Sequence, residues 1–254
     1  MILERKLNIL KRRLVLRINF NYIKIIGLIL LVGVLFAFSK HRNSMRMVSD
    51  PNIEFLGESQ LFITKANVSK LLIQNQKPVS GQPKEIIDLN ELESALISNP
   101  MIKKAEVFMS VNGELSADIE QKRPIARVNT NASYYIDDEG SYMPLSSNYT
   151  ARVPLVTGYI KKNDLKTVFE FAKTVDQDVF LKKHVIEIRQ NEDKTIDFKI
   201  RKSDFIVHLG SLDMLEKKIN NFKAFYQKAS KDNILQKYSL VNLKFDKQVI
   251  CTKT

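Results

Sequence analysis

IKKAEVFMSVNGELSADIEQKRPIARV, residues 102–128, is the most informative stretch of this 254-residue chain. Ala105, Val107 and Met109 alternate with charged or polar neighbours, and Leu115, Ala117 and Ile119 alternate against Asp118 and Glu120. Alternation on both sides of Asn112-Gly113, the pair that favours a type I′ turn, predicts a β-hairpin with one apolar face. That face needs cover. The chain before it supplies two helices. Asp88 opens the nearer one, with Glu91 three residues on in a capping-box arrangement. Leu89, Leu92, Leu96 and Ile97 repeat at helical spacing, and Asn99-Pro100 stops them. Thr64 is the expected N-cap of the farther helix, through Leu72, with Ala66, Val68, Leu71 and Leu72 apolar. A loop from Gln74 to Pro83 separates the two. Ile53, Phe55 and Leu61 fit a first strand and its exit, which gives a βααββ module over 51–123.

Pro124 marks the boundary to a second region, 124–254. Ile125–Val128, Tyr134–Ile136, Tyr142–Leu145 and Val153–Val156 read as extended pieces, with Asp137-Asp138-Glu139-Gly140 as a turn. A helix follows Asn163, with Leu165, Val168, Phe169, Ala172 and Val175 on one stripe. Val185–Arg189, Thr195–Ile200 and Phe205–Leu209 read as strands. Ser211 is the expected cap of a last helix whose Leu212, Leu215, Ile219, Phe222 and Tyr226 face inward. Leu240–Phe245 and Val249–Thr252 close the chain as strands. The class is α+β, with a mixed or antiparallel sheet flanked by two helices.

Toward the N-terminus, Ile25 to Phe38 holds fourteen residues without a charge, and the apolar span extends back to Phe20 with only Asn21 and Lys24 intervening. Nineteen helical residues rise about 28 Å, close to the hydrocarbon thickness of a bilayer. The expected layout is a basic cytoplasmic tail over 1–24, a transmembrane helix over 25–39 and a linker over 40–50. Of 40 Lys/Arg in the chain, ten lie in residues 1–46 against one acid, Glu4; the remainder carries 30 basic and 27 acidic side chains. Most of the +12 charge therefore flanks the apolar stretch. Seven cations precede it and Lys40, Arg42 and Arg46 follow, so the positive-inside rule keeps the N-terminus cytoplasmic. A cleaved signal peptide is the competing reading, with Ala37-Phe38-Ser39 as a loose cleavage site; the long basic segment and the extended span oppose it. A buried core helix fits poorly with flanks so asymmetric.

No cofactor, metal or catalytic constellation is expected. His41, His184 and His208 have no ligand spacing, and no G-x-G pair exists. Asp137-Asp138-Glu139 suits a cation less well than a solvated turn. His208, between Val207 and Leu209, suits a sheet surface. Cys251 is the sole cysteine, so no internal disulfide forms. A nearly charge-balanced outer region without aromatic–basic interleaving argues against nucleic acid, and no small-molecule substrate is expected.

The C-terminus is the candidate functional element. Asn242–Thr252 reads as strand, turn and strand, and the last strand is placed at a sheet edge. Unpaired N–H and C=O groups there can be completed by β-augmentation. The bland alternative is a covered or blunted edge, with Lys244 and Lys247 as charged guards. Physics alone leaves both open.

Several segments together resemble the bacterial cell-division family FtsQ/DivIB. They are Asn99-Pro100 through Ala126, above all Lys122-Arg123-Pro124-Ile125-Ala126-Arg127. Tyr135-Ile136-Asp137-Asp138-Glu139-Gly140 with Pro144, and Val153-Pro154-Leu155-Val156-Thr157-Gly158, continue the likeness. Val241-Asn242-Leu243-Lys244-Phe245-Asp246 resembles the family's last-but-one strand, with Asn242 where an acid is customary. The resemblance implies a single-pass inner-membrane protein of the septum with a POTRA domain beside the membrane and a β domain beyond it. It implies recruitment of an FtsB/FtsL pair and control of septal peptidoglycan synthesis, with Leu243, Phe245, Lys247, Gln248, Val249 and Ile250 as partner-binding residues. It implies that other septal proteins bind through the POTRA domain. Two rival readings are a POTRA-bearing transport or assembly component and a membrane-anchored cell-wall hydrolase. The first would need several such units or a barrel, the second a poised carboxylate or metal site.

Overall fold

The computed structural model describes residues 20–57, 62–74, 77–245 and 248–254. The basic tail up to residue 19, Leu61 and the Asp246-Lys247 pair lie outside the described residues. Helix α1, Phe20–Ser44, comprises 25 residues and buries none of them. It is the only helix, among the described residues, long and apolar enough to cross a membrane.

The first domain is built from β1 (Asn52–Leu56), α2 (Lys65–Leu71), the short β2 (Ile73–Gln74) and β3 (Lys77–Pro78), α3 (Leu89–Ile97), β4 (Ile102–Met109) and β5 (Leu115–Gln121). Both helices start where the cap chemistry places them. Thr64 accepts from the Asn67 amide at 3.2 Å. Asp88 accepts from Asn90 and Glu91 amides at 3.0 and 3.3 Å. The sheet order is β1-β5-β4, with β1 parallel to β5 and β5 antiparallel to β4. Val68, Leu72, Leu92 and Leu96 of the helical layer pack on Ile53, Ala105, Val107, Ala117 and Ile119.

The hairpin turn departs from the expected type. Met109 pairs with Leu115, Ser110 and Glu114 close the loop, and the Gly113 amide donates to Ser110 O at 3.1 Å. Gly113 has φ +90 and Asn112 is not among the positive-φ residues. This is a three-residue loop with glycine in the left-handed position, not a two-residue type I′ turn. Residues 46–49 explain the glycine. The Ser49 amide donates to Gly113 O at 2.9 Å, and a Cβ on Gly113 would lie 2.6 Å from Met47 O. Val48 is buried, its amide bonded to Gln82 O and its carbonyl to the Gly81 amide. Arg46 Nη1 donates to Val111 O at 2.6 Å and to Asn112 Oδ1 at 3.2 Å. The segment after α1 is thus a strap fastened to the first domain. Gly113→Ala combines a positive φ with a backbone clash and is expected to cost about 2 kcal/mol. Faster amide exchange at Val48 and Ser49 is the expected readout; unchanged exchange there would show that the strap does not depend on this approach.

The second domain is one nine-stranded sheet. Its strands are β6 (Pro124–Asn129), β7 (Ser133–Asp137), β8 (Tyr142–Met143), β9 (Leu155–Gly158), β10 (Val185–Gln190), β11 (Ile196–Ile200), β12 (Ile206–Gly210), β13 (Tyr238–Asn242) and β14 (Ile250–Lys253). The order is β14-β13-β12-β11-β10-β9-β6-β7-β8. It is mixed: β6·β9, β9·β10 and β12·β13 are parallel, the other pairs antiparallel. Parallel neighbours need crossovers. Helices α4 (Lys166–Gln177) and α5 (Val179–His184) connect β9 to β10, and α6 (Leu215–Lys231) connects β12 to β13. Their buried faces, Val168, Phe171, Ala172, Val175, Leu181, Ile219 and Phe222, cover one side of the sheet. Helix α5 is a third helix where two were expected. Asp178 makes it, accepting from Phe180 and Leu181 amides at 3.0 and 2.9 Å. Ser211 does not cap α6; Met214, at φ +53, precedes the helix, and Lys218 Nζ donates to Ser211 O.

The two domains meet through Phe62, Tyr135 and Met143, joined by Met101, Leu145 and Val153. Ser146 Oγ and Asn148 Nδ2 both donate to Phe62 O, at 2.6 and 3.1 Å. The acidic turn serves this junction. Asp137 accepts from Glu139 and Ser141 amides and pairs with Lys122 at 2.8 Å. Asp138 and Glu139 face Lys103 at 3.7 and 3.4 Å. Arg123 reaches from the junction to Asp176 of α4 at 2.8 Å, and Lys182 meets the same carboxylate at 2.9 Å.

Burial pushes the Asp176 carboxyl up, but the hydrogen bonds from Arg123 and Lys182 outweigh it and hold the group below the usual carboxylate range. A depressed pKa in the folded state gives stability that is present above the unfolded value and lost as pH falls through the folded one. Acid unfolding is therefore expected below about pH 4. Asp176→Asn should lower stability at neutral pH and flatten the acid limb of a stability–pH curve. An unchanged acid limb would contradict the assignment.

Candidate functional site

The candidate edge is made by what happens after β13. That strand runs parallel to β12 and antiparallel to β14. It ends at Asn242 because the side chain there turns the backbone: Asn242 Oδ1 accepts from the Lys244 amide at 3.0 Å. The Leu243 amide donates to His208 O at 2.9 Å, and the Leu243 side chain is 1% exposed. Gly210 permits the turn to lie close, since a Cβ there would sit 2.8 Å from Lys244 Cγ. The chain then returns as β14, which occupies one end of the sheet. Among the described residues no strand pairs with its outer side. At the opposite end β8 has two residues, too short to template a partner.

Thr254 donates its amide to Lys237 O at 3.0 Å. Backbone groups alternate sides along an antiparallel strand. Those of Thr252 and Ile250 therefore turn toward β13, and those of Cys251 turn to the open edge together with the Lys253 amide, while the Lys253 carbonyl accepts from Ser239 Oγ of β13 at 3.3 Å. The extra residue at the register shift lies in β13, between Tyr238 and Leu240, so the alternation in β14 is unbroken.

Five of the six expected partner-binding residues are described, and they fall in the core, in the connection and on the edge strand. Leu243 is inside the core, where it holds the turn. Phe245, 46% exposed, and the exposed Gln248 belong to the connection, and Lys247 lies outside the described residues. Val249 is half-buried against the core, so its side chain serves packing first. Ile250 is on the edge strand and 41% exposed. The expected strands Leu240–Phe245 and Val249–Thr252 are thus shifted: of the expected residues that are described, only Ile250 is on the edge strand, and Phe245 and Gln248 lie on the rim beside it. Lys253 and Cys251 were not among the expected residues, because only the hydrogen-bond parity of β14 singles them out.

Side chains on the open face surround this rim. The register places Ile250 beside Asn242, Asn242 beside His208, and His208 beside Asp197. His208 Nδ1 and Asp197 Oδ1 are hydrogen-bonded, and Asn191 Nδ2 reaches Asp197 Oδ2 at 3.1 Å. A second row carries Ile206, Leu240 and Thr252. Ile206 is 36% exposed, which with Ile250 and Phe245 gives the edge an apolar margin. Cys251 sits on the opposite face, half-buried, and burial pushes its thiol pKa up, which disfavours the nucleophilic thiolate. Among the described residues no group of three His, Cys, Asp or Glu is placed to hold a metal ion. An extended backbone rim, two edge-facing residues and an apolar margin suit one chemistry: pairing with another extended chain.

A family model described as FtsQ/DivIB, C-terminal related, matches residues 123–252, and one described as a POTRA-like domain matches residues 56–120. No curated protein matches the chain.

Proposed function

Since the chain belongs to the POTRA-containing FtsQ/DivIB family, a membership that fits a scaffold role in the division machinery, we propose that it recruits an FtsB/FtsL-like pair by adding a partner strand to β14. In this reading the protein is non-catalytic. It acts by holding a preformed backbone template at a set place outside the membrane. The observation that carries it is the outer side of β14, with which no strand among the described residues pairs, at the end of the sheet away from the two-residue β8. A template of this kind contributes affinity through main-chain hydrogen bonds, while Phe245, Ile206 and Ile250 would select the partner's side chains.

Helix α1 fits a single-pass anchor. The excess of cations before it keeps the N-terminus in the cytoplasm and puts both domains on the far side. The site of action is the division septum, where the recruited pair helps control septal peptidoglycan synthesis. The first domain would take other septal proteins. The test is a fluorescent fusion in cells depleted of the native copy. Midcell rings, with filaments on depletion, are expected; a uniform membrane signal with normal division would contradict the proposal.

A further inference from the structure

Three cations follow the apolar part of α1, at Lys40, Arg42 and Arg46, and His41 stands among them. This sits on the flank that the positive-inside rule leaves poor in Lys and Arg. Topology therefore does not account for them, and their surroundings suggest what does. At about 1.5 Å per residue, the nineteen residues Phe20–Phe38 use up the hydrocarbon, and Ser39–Ser44 emerge at headgroup level. There the helix does not stand alone. Phe36, Lys40 and Asn43 share one helical face, and with Phe38, Arg42, Arg46 and Val111 they line a cleft of about 590 Å³. Val111 comes from the tip of the β4–β5 hairpin, so the first domain reaches down to the level of the headgroups.

The cleft is two-sided in chemistry. Its lower wall is aromatic, from Phe36 and Phe38, and its upper wall is cationic. Arg46 is fixed in place by the bonds from Nη1 to Val111 O and Asn112 Oδ1, and the guanidinium carries two further nitrogens. Lys84 Nζ also reaches Val111 O, at 3.0 Å, which adds a fourth cation at the rim. The tip itself is apolar and open, with Val111 75% exposed and Met45 and Met47 nearby on the strap at 66% and 56%. Cations above, rings below and apolar side chains at the boundary match an anionic amphiphile lying in the same leaflet.

We infer that the outer end of α1, the strap and the β4–β5 tip form a seat for the headgroup of an anionic phospholipid, which fixes the first domain against the membrane surface. The inference rests on α1 spanning the bilayer, as proposed above. The seated lipid bridges helix and hairpin: its phosphate meets Lys40, Arg42 and Arg46, while Val111 dips into the interface. The strap, bonded to Gly81, Gln82 and Gly113, passes that orientation to the domain as a rigid unit.

The chain contains no tryptophan, so Val111→Trp gives a single indole at the tip. The full-length variant is reconstituted into phosphatidylcholine nanodiscs, and phosphatidylglycerol brominated high on its acyl chains is added in increasing proportion. Strong quenching at low mole fraction is expected, with brominated phosphatidylcholine much less effective. Lys40→Gln and Arg42→Gln, each at constant reporter, should raise the half-quenching proportion about fivefold per cation, or ~1 kcal/mol. Raised salt should act in the same direction. Equal quenching by the two lipids, indifferent to these substitutions, would overturn the headgroup seat. No quenching in discs that hold the protein would also overturn it, and would leave the cleft to a protein helix. Failure of the protein to enter discs is seen separately, by co-elution, and would remove the anchor reading together with the seat.

Discussion

Lys253→Pro should weaken strand addition by about 2 kcal/mol, roughly thirtyfold, and leave the protein's own unfolding unchanged. The Lys253 amide is on the open side of β14, so proline removes a donor from the docking edge and none from the pairing with β13. Edge strands accept proline at such positions. Thr252→Pro, one residue earlier, removes a bond to β13 instead, and should destabilise the edge itself. The pair of variants separates docking from folding by a shift of one residue. Ile250→Asp and Phe245→Ala act on the margin: both side chains are more than two-fifths exposed, and each loss should be seen in binding without a change in unfolding. A charge at Val249 is a poorer probe, because that side chain packs on the core. Isothermal titration with the partner pair measures all four. Wild-type affinity for Lys253→Pro would show that no strand adds at this edge.

Phe222→Ala should have the largest effect on stability, about 3–5 kcal/mol. Its side chain is fully buried. Its ring lies 5.2 Å from Phe198, 6.2 Å from Phe180 and 6.3 Å from Tyr226. It therefore ties α6 to the centre of the sheet and to α5 at once. Helix α6 is the crossover that lays β13 beside β12, and β14 depends on β13. Loss of Phe222 should loosen the docking edge from a distance, and denaturant unfolding should show a much lower midpoint. Phe225→Ala, at a partly buried ring 5.5 Å from Tyr238, should cost less. Similar costs for the two would mean that the three-ring contact adds nothing beyond area.

The legible parts of this fold were those with local signals. Thr64 and Asp88 cap their helices as their side chains require, and the alternation in 102–121 gives the hairpin its faces. The strands from Val185 to Leu209 were legible for the same reason. What failed to show had its cause elsewhere in the chain. Asn112-Gly113 suggests a two-residue turn, but Met47 and Ser49 pack on Gly113 and a longer loop results. Residues 46–49 look like a polar linker because their partners, Gly81, Gln82 and Gly113, are distant in sequence. Helix α5 has six residues, too few to show a period, and only the Asp178 cap announces it.

The candidate site was half legible. Its position at a sheet end was expected because the strand is the last in the sequence, whereas Leu243 looked like an edge residue because nothing local reveals that Asn242 turns the backbone and sends Leu243 inward. The outward-facing amides of Cys251 and Lys253 follow from hydrogen-bond parity, to which side-chain pattern is blind.

Amide hydrogen exchange of β14, with and without the partner pair, tests the docking edge most directly. Before addition, Ile250 and Thr252 should exchange slowly, bonded to β13, and Cys251 and Lys253 should exchange fast. With the partner present, Cys251 and Lys253 should become protected while the other two stay as they were. Fast exchange at Cys251 and Lys253 in a complex that has demonstrably formed would mean that the partner binds somewhere else.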